Sequence, residues 1–302
     1  MFSAAVVAQS FVPSDIPNLY QWLDASDSSS ITSSSGLISQ WNDKSGNGYH
    51  ATQSADNKKP STSTSPSNGL PSVVFGPDGF QFNEIMHTTA PQWNEFQYTV
   101  FIVLNKTATS LRTSPYATNY FRLKALESGN GILLGGDGTD AQFGDDEDHV
   151  FAMGGSSATA TGTSDAQIEI ATNLADGVDA LIQHQTNYTD SHSTNGHNGQ
   201  LNAGTRVVYS DPGIGSSRMT LTNTGTDAAD SQTKTKIGNI GTRWMVGGSG
   251  FNTLGNSTAQ NNSTFAMFSG HIMEIINYNR LLSDGERNQV MGHLMGKWRI
   301  PQ

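Results

Sequence analysis

The chain consists of short stretches in which apolar and polar residues alternate or apolar residues run together, separated by turn-forming residues. The run 98–104 is apolar almost throughout, a pattern typical of a strand buried on both faces. The segment 19–25 is short, contains aromatic residues and is followed by a serine-rich turn. In residues 36–43, successive side chains would alternate between two faces. These patterns predict β-strands.

Further strands are predicted along the rest of the chain at 71–75, 120–126, 131–134, 149–153, 167–171, 178–184, 205–209, 243–247 and 265–269. Residues 54–71, rich in Ser, Thr, Pro and Asn, are predicted to form a long surface loop. We find no internal repeat and no change of composition that would place a domain boundary.

The end of the chain changes from a strand pattern to a helix pattern. Residues 270–279 are predicted as a strand, and Ser283 with Glu286 fits a capping box, in which Ser283 accepts a hydrogen bond from the Glu286 amide. The helix that follows has one apolar face, made of Val290, Met291, Leu294, Met295 and Trp298. Three glycines each lower its helix propensity by about 1 kcal/mol, so we expect docking to hold this helix in place.

The composition also favours an all-β protein. Gly, Ser, Thr and Asn are abundant while Lys plus Arg is only 16, which suits short strands joined by turns. Only 14% of the residues are charged, so hydroxyl and amide groups must keep the surface soluble, as is common on extracellular and virion surfaces. Because β-sandwiches of about 200–250 residues occur as one domain, we expect residues 14–302 to form a single domain after an arm at 1–13.

The charge and the missing cysteines exclude several function classes. A formal net charge of -10 repels phosphate groups, so we expect no nucleic-acid partner and no anionic membrane partner. No apolar run approaches the roughly 18 residues that a membrane-spanning helix needs. Without cysteine the chain has neither a disulfide nor a thiolate nucleophile.

The first 13 residues are apolar but have no positively charged segment at their start, so we interpret them as an ordered arm and not as a secretion signal. They include Phe2, Val6, Val7, Phe11 and Val12. Because soluble monomers normally hide such surface, we expect the arm to dock on another subunit or on a capsid or tail protein. The alternative is that it adds a strand to its own sheet.

Three segments together resemble the concanavalin A-like, LamG-type jelly-roll domains of bacteriophage structural proteins and bacterial surface proteins. They are 19–27, 40–52 and 272–298. The resemblance implies a β-sandwich of two antiparallel sheets with a short C-terminal helix at one edge. Residues 110–240 depart from the pattern. The same fold carries lectins, glycan hydrolases, adhesins and structural modules, so the resemblance is more specific for fold than for function.

The tight loop after residue 42 is a candidate metal site. Asp43, Ser45 and Asn47 offer the oxygen ligands that calcium prefers, and the resemblance implies a structural Ca²⁺ near this turn. Asp24 is a further candidate ligand. The alternative is that Asp43 and Asn47 only bind the amides of their own turn.

Four aromatic residues in polar surroundings are candidates for binding a glycan. They are Tyr188, Tyr209, Trp244 and Phe251, among Asn, Asp and Gly, a mixture that stacks on sugar rings and binds their hydroxyls. Packing in the core is the alternative for each.

No catalytic residue is predicted. Asp145 and Glu147 would lie about 7 Å apart on one face of a strand, a separation compatible with glycoside chemistry. However, the glucanases of this fold carry Glu-x-Asp-x-x-Glu in an apolar strand, and this spacing is absent here.

These observations together predict a virion structural protein, either a capsid decoration or a tail or fibre module. Its expected location is the virion surface, its expected partners are other virion proteins or copies of itself, and a host-surface glycan is a further candidate partner. Two alternatives stay open: a secreted, extracellular carbohydrate-binding or adhesion domain, and a glycan-degrading enzyme.

Overall fold

The computed structural model describes residues 11–76, 84–89, 97–106, 126–128, 149–153, 167–171, 177–188, 201–211, 216–224, 243–247 and 268–300. The first eight strands in these residues are β1 (Leu19–Asp24), β2 (Ile31–Ser34), β3 (Leu37–Trp41), β4 (Ala51–Thr52), β5 (Ser61–Thr64), β6 (Pro71–Phe75), β7 (Met86–Thr89) and β8 (Gln97–Lys106). The others are β9 (Leu126–Ser128), β10 (His149–Met153), β11 (Gln167–Ala171), β12 (Asp179–Tyr188), β13 (Leu201–Asp211), β14 (Ser216–Thr224), β15 (Arg243–Val246) and β16 (Gly270–Tyr278). Helix α1 is Asp284–Trp298, and short 3-10 turns lie at Pro13–Asp15, Ser28–Ser30 and Asp56–Lys58.

Fourteen strands join one curled antiparallel sheet. Its order is β14-β13-β12-β8-β16-β6-β5-β3-β4-β7-β15-β9, with β1 on β16 and β2 on β3, while β10 and β11 pair with each other. The predicted all-β fold class is therefore confirmed. The two halves of the path pack against each other, because one apolar cluster contains residues of β8, β12 and β16 as well as β3, β4, β7 and β15.

Burial on both faces explains why the sequence of β8 is apolar almost throughout. Val100, Ile102 and Leu104 point into the core of the sandwich, whereas Phe101 and Val103 point to the opposite face, where helix α1 packs through Trp298 and its other apolar residues. The strand is buried on both faces, as its pattern predicted.

The sequence pattern predicts six buried residues, namely Trp22, Trp41, Phe101, Ile102, Ile275 and Trp298. Five of them are fully buried: Trp41, Phe101, Ile102, Ile275 and Trp298. Trp22 is the exception, because it is only half-buried. It lies on the outer side of β1, where the ammonium group of Lys44 covers its ring at 4.4 Å from the centroid.

The predicted loop at 54–71 is wrong in part, since it contains a 3-10 turn and strand β5. Thr62, Ser63 and Thr64 are all exposed, so no alternation of apolar and polar residues marks this strand. Backbone pairing with β6 defines it instead. The unpredicted strand β2 has the same exposed Ser and Thr composition.

Several of the other predicted strands are confirmed, with small changes at their ends. The predictions at 149–153 and 167–171 match β10 and β11, and those at 178–184, 205–209 and 243–247 overlap β12, β13 and β15. The prediction at 131–134 lies outside the described residues. Only residue 126 of the prediction at 120–126 and residues 268 and 269 of that at 265–269 are described.

Helix α1 begins with the predicted capping box. Ser283 Oγ accepts from the Glu286 amide at 3.4 Å, and the Ser283 amide donates to Glu286 Oε2 at 2.8 Å. Arg280 also binds the Glu286 carboxylate, and these hydrogen bonds, that of Arg280 first, lower the pKa of Glu286 to about 2. Among the described residues, no helix is long and apolar enough to cross a membrane.

The last residues of the predicted N-terminal arm pack on the chain's own core. The ring of Phe11 contacts His293 of α1 edge-on, with centroids 5.6 Å apart. Pro13 is buried, and its carbonyl accepts a hydrogen bond from the Tyr278 hydroxyl at 2.8 Å. Residues 1–10 lie outside the described part of the chain, so docking of the arm on a partner stays a prediction.

Candidate functional site

The turn after β3 is fastened to β1 by the carboxylate of Asp43. One oxygen, Oδ1, accepts from the backbone amides of Trp22 at 2.8 Å and Ser45 at 2.9 Å. The other, Oδ2, accepts from the Ser45 hydroxyl at 2.7 Å and the Tyr49 amide at 3.0 Å. Four donors of the chain itself therefore converge on this carboxylate.

Asn47 has a similar role in the same turn. Its side-chain amide donates to the carbonyls of Leu19 and Tyr20, at 2.9 Å each. Gly46 has a φ of +91°, a conformation that glycine adopts without strain. The contacts of Asp43 and Asn47 are those expected of turn residues, the alternative that the sequence left open.

Among the described residues, no group of three or more His, Cys, Asp or Glu side chains is placed to hold a metal ion. Asp24 faces the ammonium groups of Lys44 and Lys297. Calcium at Asp43, Asn47 and Asp24 stays a prediction.

Asp24 is the centre of a buried group of charges. It is only 3% exposed, and it accepts from Lys44 Nζ at 2.9 Å, from Lys297 Nζ at 2.7 Å and from the Ser26 hydroxyl at 2.6 Å. Burial by itself would raise the pKa of Asp24, but the charge and hydrogen bond of Lys297, with the hydrogen bonds of Ser26 and Lys44, lower it below the ordinary value.

Glu274 lies directly opposite Asp24 in the pairing of β1 with β16. It is 1% exposed and accepts three hydrogen bonds of 2.7 Å each, from the indoles of Trp22 and Trp298 and from Lys297 Nζ. Burial, and then the negative charge of Asp24, raise the pKa of Glu274 above its ordinary value.

These contacts join elements that are far apart in sequence. Lys297 of α1 binds both carboxylates, and Trp22 of β1 and Trp298 of α1 share one of them. The first strand, the last strand and the helix are thereby fixed to one another. Sequence reasoning missed this cluster, although Asp24, Glu274 and Trp298 all lie in the three segments that carry the family resemblance.

The structure places the backbone positions of two candidate glycan-binding residues, Tyr188 and Tyr209, far apart in the sheet. In the pairing of β12 with β13, Tyr188 lies opposite Leu201 and Tyr209 lies opposite Ala180. Positions 188 and 180 of β12 are eight residues apart, or roughly 27 Å along a strand. One sugar ring cannot contact both Tyr188 and Tyr209.

The two other candidates lie elsewhere. Trp244 is in β15, opposite Thr88 of β7. Whether Trp244 binds a glycan or packs in the core stays a prediction. Phe251 lies outside the described residues.

Comparisons with known proteins give no family. No family model matches the chain, and no curated protein matches it. Among solved structures, Trypanosoma rangeli sialidase in complex with 2,3-difluorosialic acid is 12% identical with a TM-score of 0.32, over 93% of this chain and 33% of that one. The chain thus spans about a third of the sialidase.

Two further structures are similar at the same low level. Botulinum neurotoxin type C, which interacts with two ganglioside molecules, is 9% identical with a TM-score of 0.32, over 91% of this chain and 51% of that one. The CBM40 domain of the Ruminococcus gnavus IT-sialidase, bound to α2,6-sialyllactose, is 16% identical with a TM-score of 0.19, over 63% of this chain and 80% of that one. At these values the similarities carry no argument about this chain.

Proposed function

We propose that this protein is a structural module of a virion surface, decorating a capsid or forming part of a tail or fibre, and that its sandwich binds a host-surface glycan without catalysis. The observation that supports the proposal is that the three segments carrying the family resemblance, 19–27, 40–52 and 272–298, meet in the structure. Asp24, Lys44 and Glu274 come from these three segments and form one contact network with Lys297. The three segments that carry the resemblance are therefore in contact with one another in the folded chain.

The buried carboxylates of the described part favour binding over hydrolysis. A glycosidase needs two carboxyl groups that flank the bond to be cleaved. Asp24 and Glu274 lie opposite each other, but lysine and indole groups occupy their oxygens and both are almost completely buried. Asp145 and Glu147 lie outside the described residues.

The exposed strands also suit a protein that covers or contacts a surface. Ser and Thr make up the exposed parts of β2 and β5, which present neutral hydroxyl groups to the solvent. Such a surface forms hydrogen bonds with hydroxyl-rich ligands and carries little charge that would repel neighbouring copies.

The proposed location on the virion surface can be tested on purified virus particles. We expect mass spectrometry to find the protein in fixed proportion to the major capsid protein, and antibodies against it to label intact particles. Detection only as free protein in the medium of a bacterial culture would contradict the virion role and favour the secreted adhesion alternative.

Glycan binding is tested separately with the purified full chain on a glycan array. We expect binding to a restricted set of glycans and no release of reducing ends from host polysaccharide. Because Tyr188 and Tyr209 are roughly 27 Å apart along their strands, Tyr188→Ala and Tyr209→Ala should not weaken the same sugar contact. Reducing-end release would support the enzyme alternative, and an array without any signal would contradict glycan binding.

A further inference from the structure

Lys297 and Glu274 bring an amine and a carboxyl group into contact inside the fold. Lys297 Nζ is 2.7 Å from Glu274 Oε2, and Glu274 is 1% exposed. Because a carboxyl carbon lies about 1.2 Å from its oxygen, Nζ is no more than about 4 Å from that carbon, close to the separation from which a bond forms. The two residues are therefore placed as reactants for an amide bond as well as partners in an ion pair.

The surroundings of the Glu274 carboxyl group favour attack on its carbon. The indole of Trp22 donates to Oε1 and the indole of Trp298 donates to Oε2, at 2.7 Å each. Fixed donors of this kind stabilise the negative charge that collects on oxygen when a nucleophile adds to a carbonyl carbon. Burial, and then the negative charge of Asp24, raise the pKa of Glu274 above its ordinary value, which lowers the share of the unreactive carboxylate form.

Asp24 is placed to take the proton that Lys297 must lose. Lys297 Nζ is also 2.7 Å from Asp24 Oδ1, so one ammonium group contacts both carboxylates. A carboxylate in hydrogen-bond contact with a reacting group can accept a proton from it and pass the proton on to a leaving group. Asp24 has Lys44 as a second cationic partner, at 2.9 Å, so its negative charge stays compensated when Lys297 becomes neutral.

The burial of the two charges favours their removal. Two ions taken out of water lose hydration that their mutual attraction only partly restores, and Glu274 is almost completely buried. Condensation would replace this ion pair with a neutral amide and leave Asp24 paired with Lys44. Because the chain has no cysteine, such an amide would supply the covalent tie between β16 and α1 that a disulfide cannot.

We propose that the side chains of Lys297 and Glu274 form an intramolecular amide bond, with Asp24 as the proton carrier. Asp24 accepts a proton from the ammonium group, and the neutral Nζ adds to the carboxyl carbon of Glu274. Asp24 passes this proton and a second one from Nζ to one Glu274 oxygen, which leaves as water when its C–O bond breaks. The ammonium and carboxylate ions thus become an amide and one water molecule. The bond is independent of the proposed glycan binding.

The test measures the intact mass of the purified full chain under denaturing conditions. We expect the wild type to be lighter than its sequence by one water molecule. Lys297→Arg keeps the positive charge but not the primary amine, so it should have the full mass of its sequence. Lys59→Arg is the matched control and should keep the loss of one water, because Lys59 pairs at 2.5 Å with Asp56, a carboxylate that is 82% exposed.

Peptide mapping then locates the bond. Trypsin cleaves after lysine and arginine but not after an acylated lysine, so the wild type should release residues 244–280 joined to residues 288–299. Lys297→Arg should release 244–280 as a free peptide. Asp24→Asn, which cannot accept the proton, should leave a larger fraction of the chain at its full mass. A wild-type chain at the full mass of its sequence, or one lighter by a water molecule without the joined peptide, would overturn the proposal.

Discussion

Gly247 is the position where the addition of one methyl group should damage the fold most clearly. This residue directly follows β15 and is buried, and its carbonyl accepts a hydrogen bond from the Phe268 amide at 3.0 Å. Its φ is +85°, and a Cβ placed on it would lie 2.0 Å from Cδ1 and 2.2 Å from Cε1 of Phe75. The ring of Phe75 is 1% exposed, so it has no open space to move into.

The expected cost of Gly247→Ala has two parts. The left-handed backbone costs an L-residue roughly 1–2 kcal/mol, and forcing a methyl group into a packed core typically costs a further 1–3 kcal/mol. Gly46 provides the matched control, because its φ is +91° but a Cβ at this position would meet nothing within 4 Å. Gly46→Ala should therefore show the backbone cost alone.

Urea unfolding of both variants and the wild type measures the difference. We expect Gly247→Ala to lower the free energy of unfolding by about 1–3 kcal/mol more than Gly46→Ala does. Replacing Phe75 with leucine in the Gly247→Ala background should recover part of this loss, because the two residues are in contact and their effects are not additive. Equal losses for the two glycine variants would refute the packing argument.

Four further predictions concern other parts of the fold. Gly292→Ala should raise the free energy of unfolding by about 0.5–1 kcal/mol, because alanine favours helix and a Cβ there meets nothing within 4 Å; a lower urea midpoint would contradict this. Phe101→Ala should cost roughly 3–5 kcal/mol in the same assay, the usual range for a core aromatic residue, and a loss below about 1 kcal/mol would show that the site is not core. If calcium binds near Asp43, EGTA should lower the calorimetric melting temperature, whereas equal midpoints would leave a plain turn. The pKa of Glu286 is lowered to about 2, so its ionised carboxylate should stabilise the folded state fully above its ordinary pKa of 4.5 and lose this contribution as the pH falls toward 2. In Glu286→Gln, the free energy of unfolding should therefore change less with pH over this range.

The elements that sequence reasoning predicted best are those whose side chains carry a strong local signal. The apolar run of β8, the strand β16 and the capping box of Ser283 and Glu286 are all evident in the sequence. In each case neighbours in sequence define the pattern, either through burial on both faces or through hydrogen bonds within one turn. The Asp43 turn is likewise evident, and its contacts follow the alternative that required only turn chemistry.

The strands without such a signal were missed. Strands β2 and β5 are almost entirely Ser and Thr with exposed side chains, and only their backbone pairing with β3 and β6 makes them strands. The separation of Tyr188 from Tyr209 was also hidden, because the register of β12 on β13 depends on pairing between distant residues.

The sequence by itself determined the all-β class, the buried central strand and the terminal helix, because alternation, apolar runs and capping residues act over a few neighbouring positions. Only the tertiary structure decided which distant residues meet. Asp24, Glu274 and Lys297 are spread over the two ends of the chain, and they meet only because β1 pairs with β16 and α1 packs beside both strands. Long-range pairing of this kind depends on the register of the whole sheet, which no local pattern of residues contains.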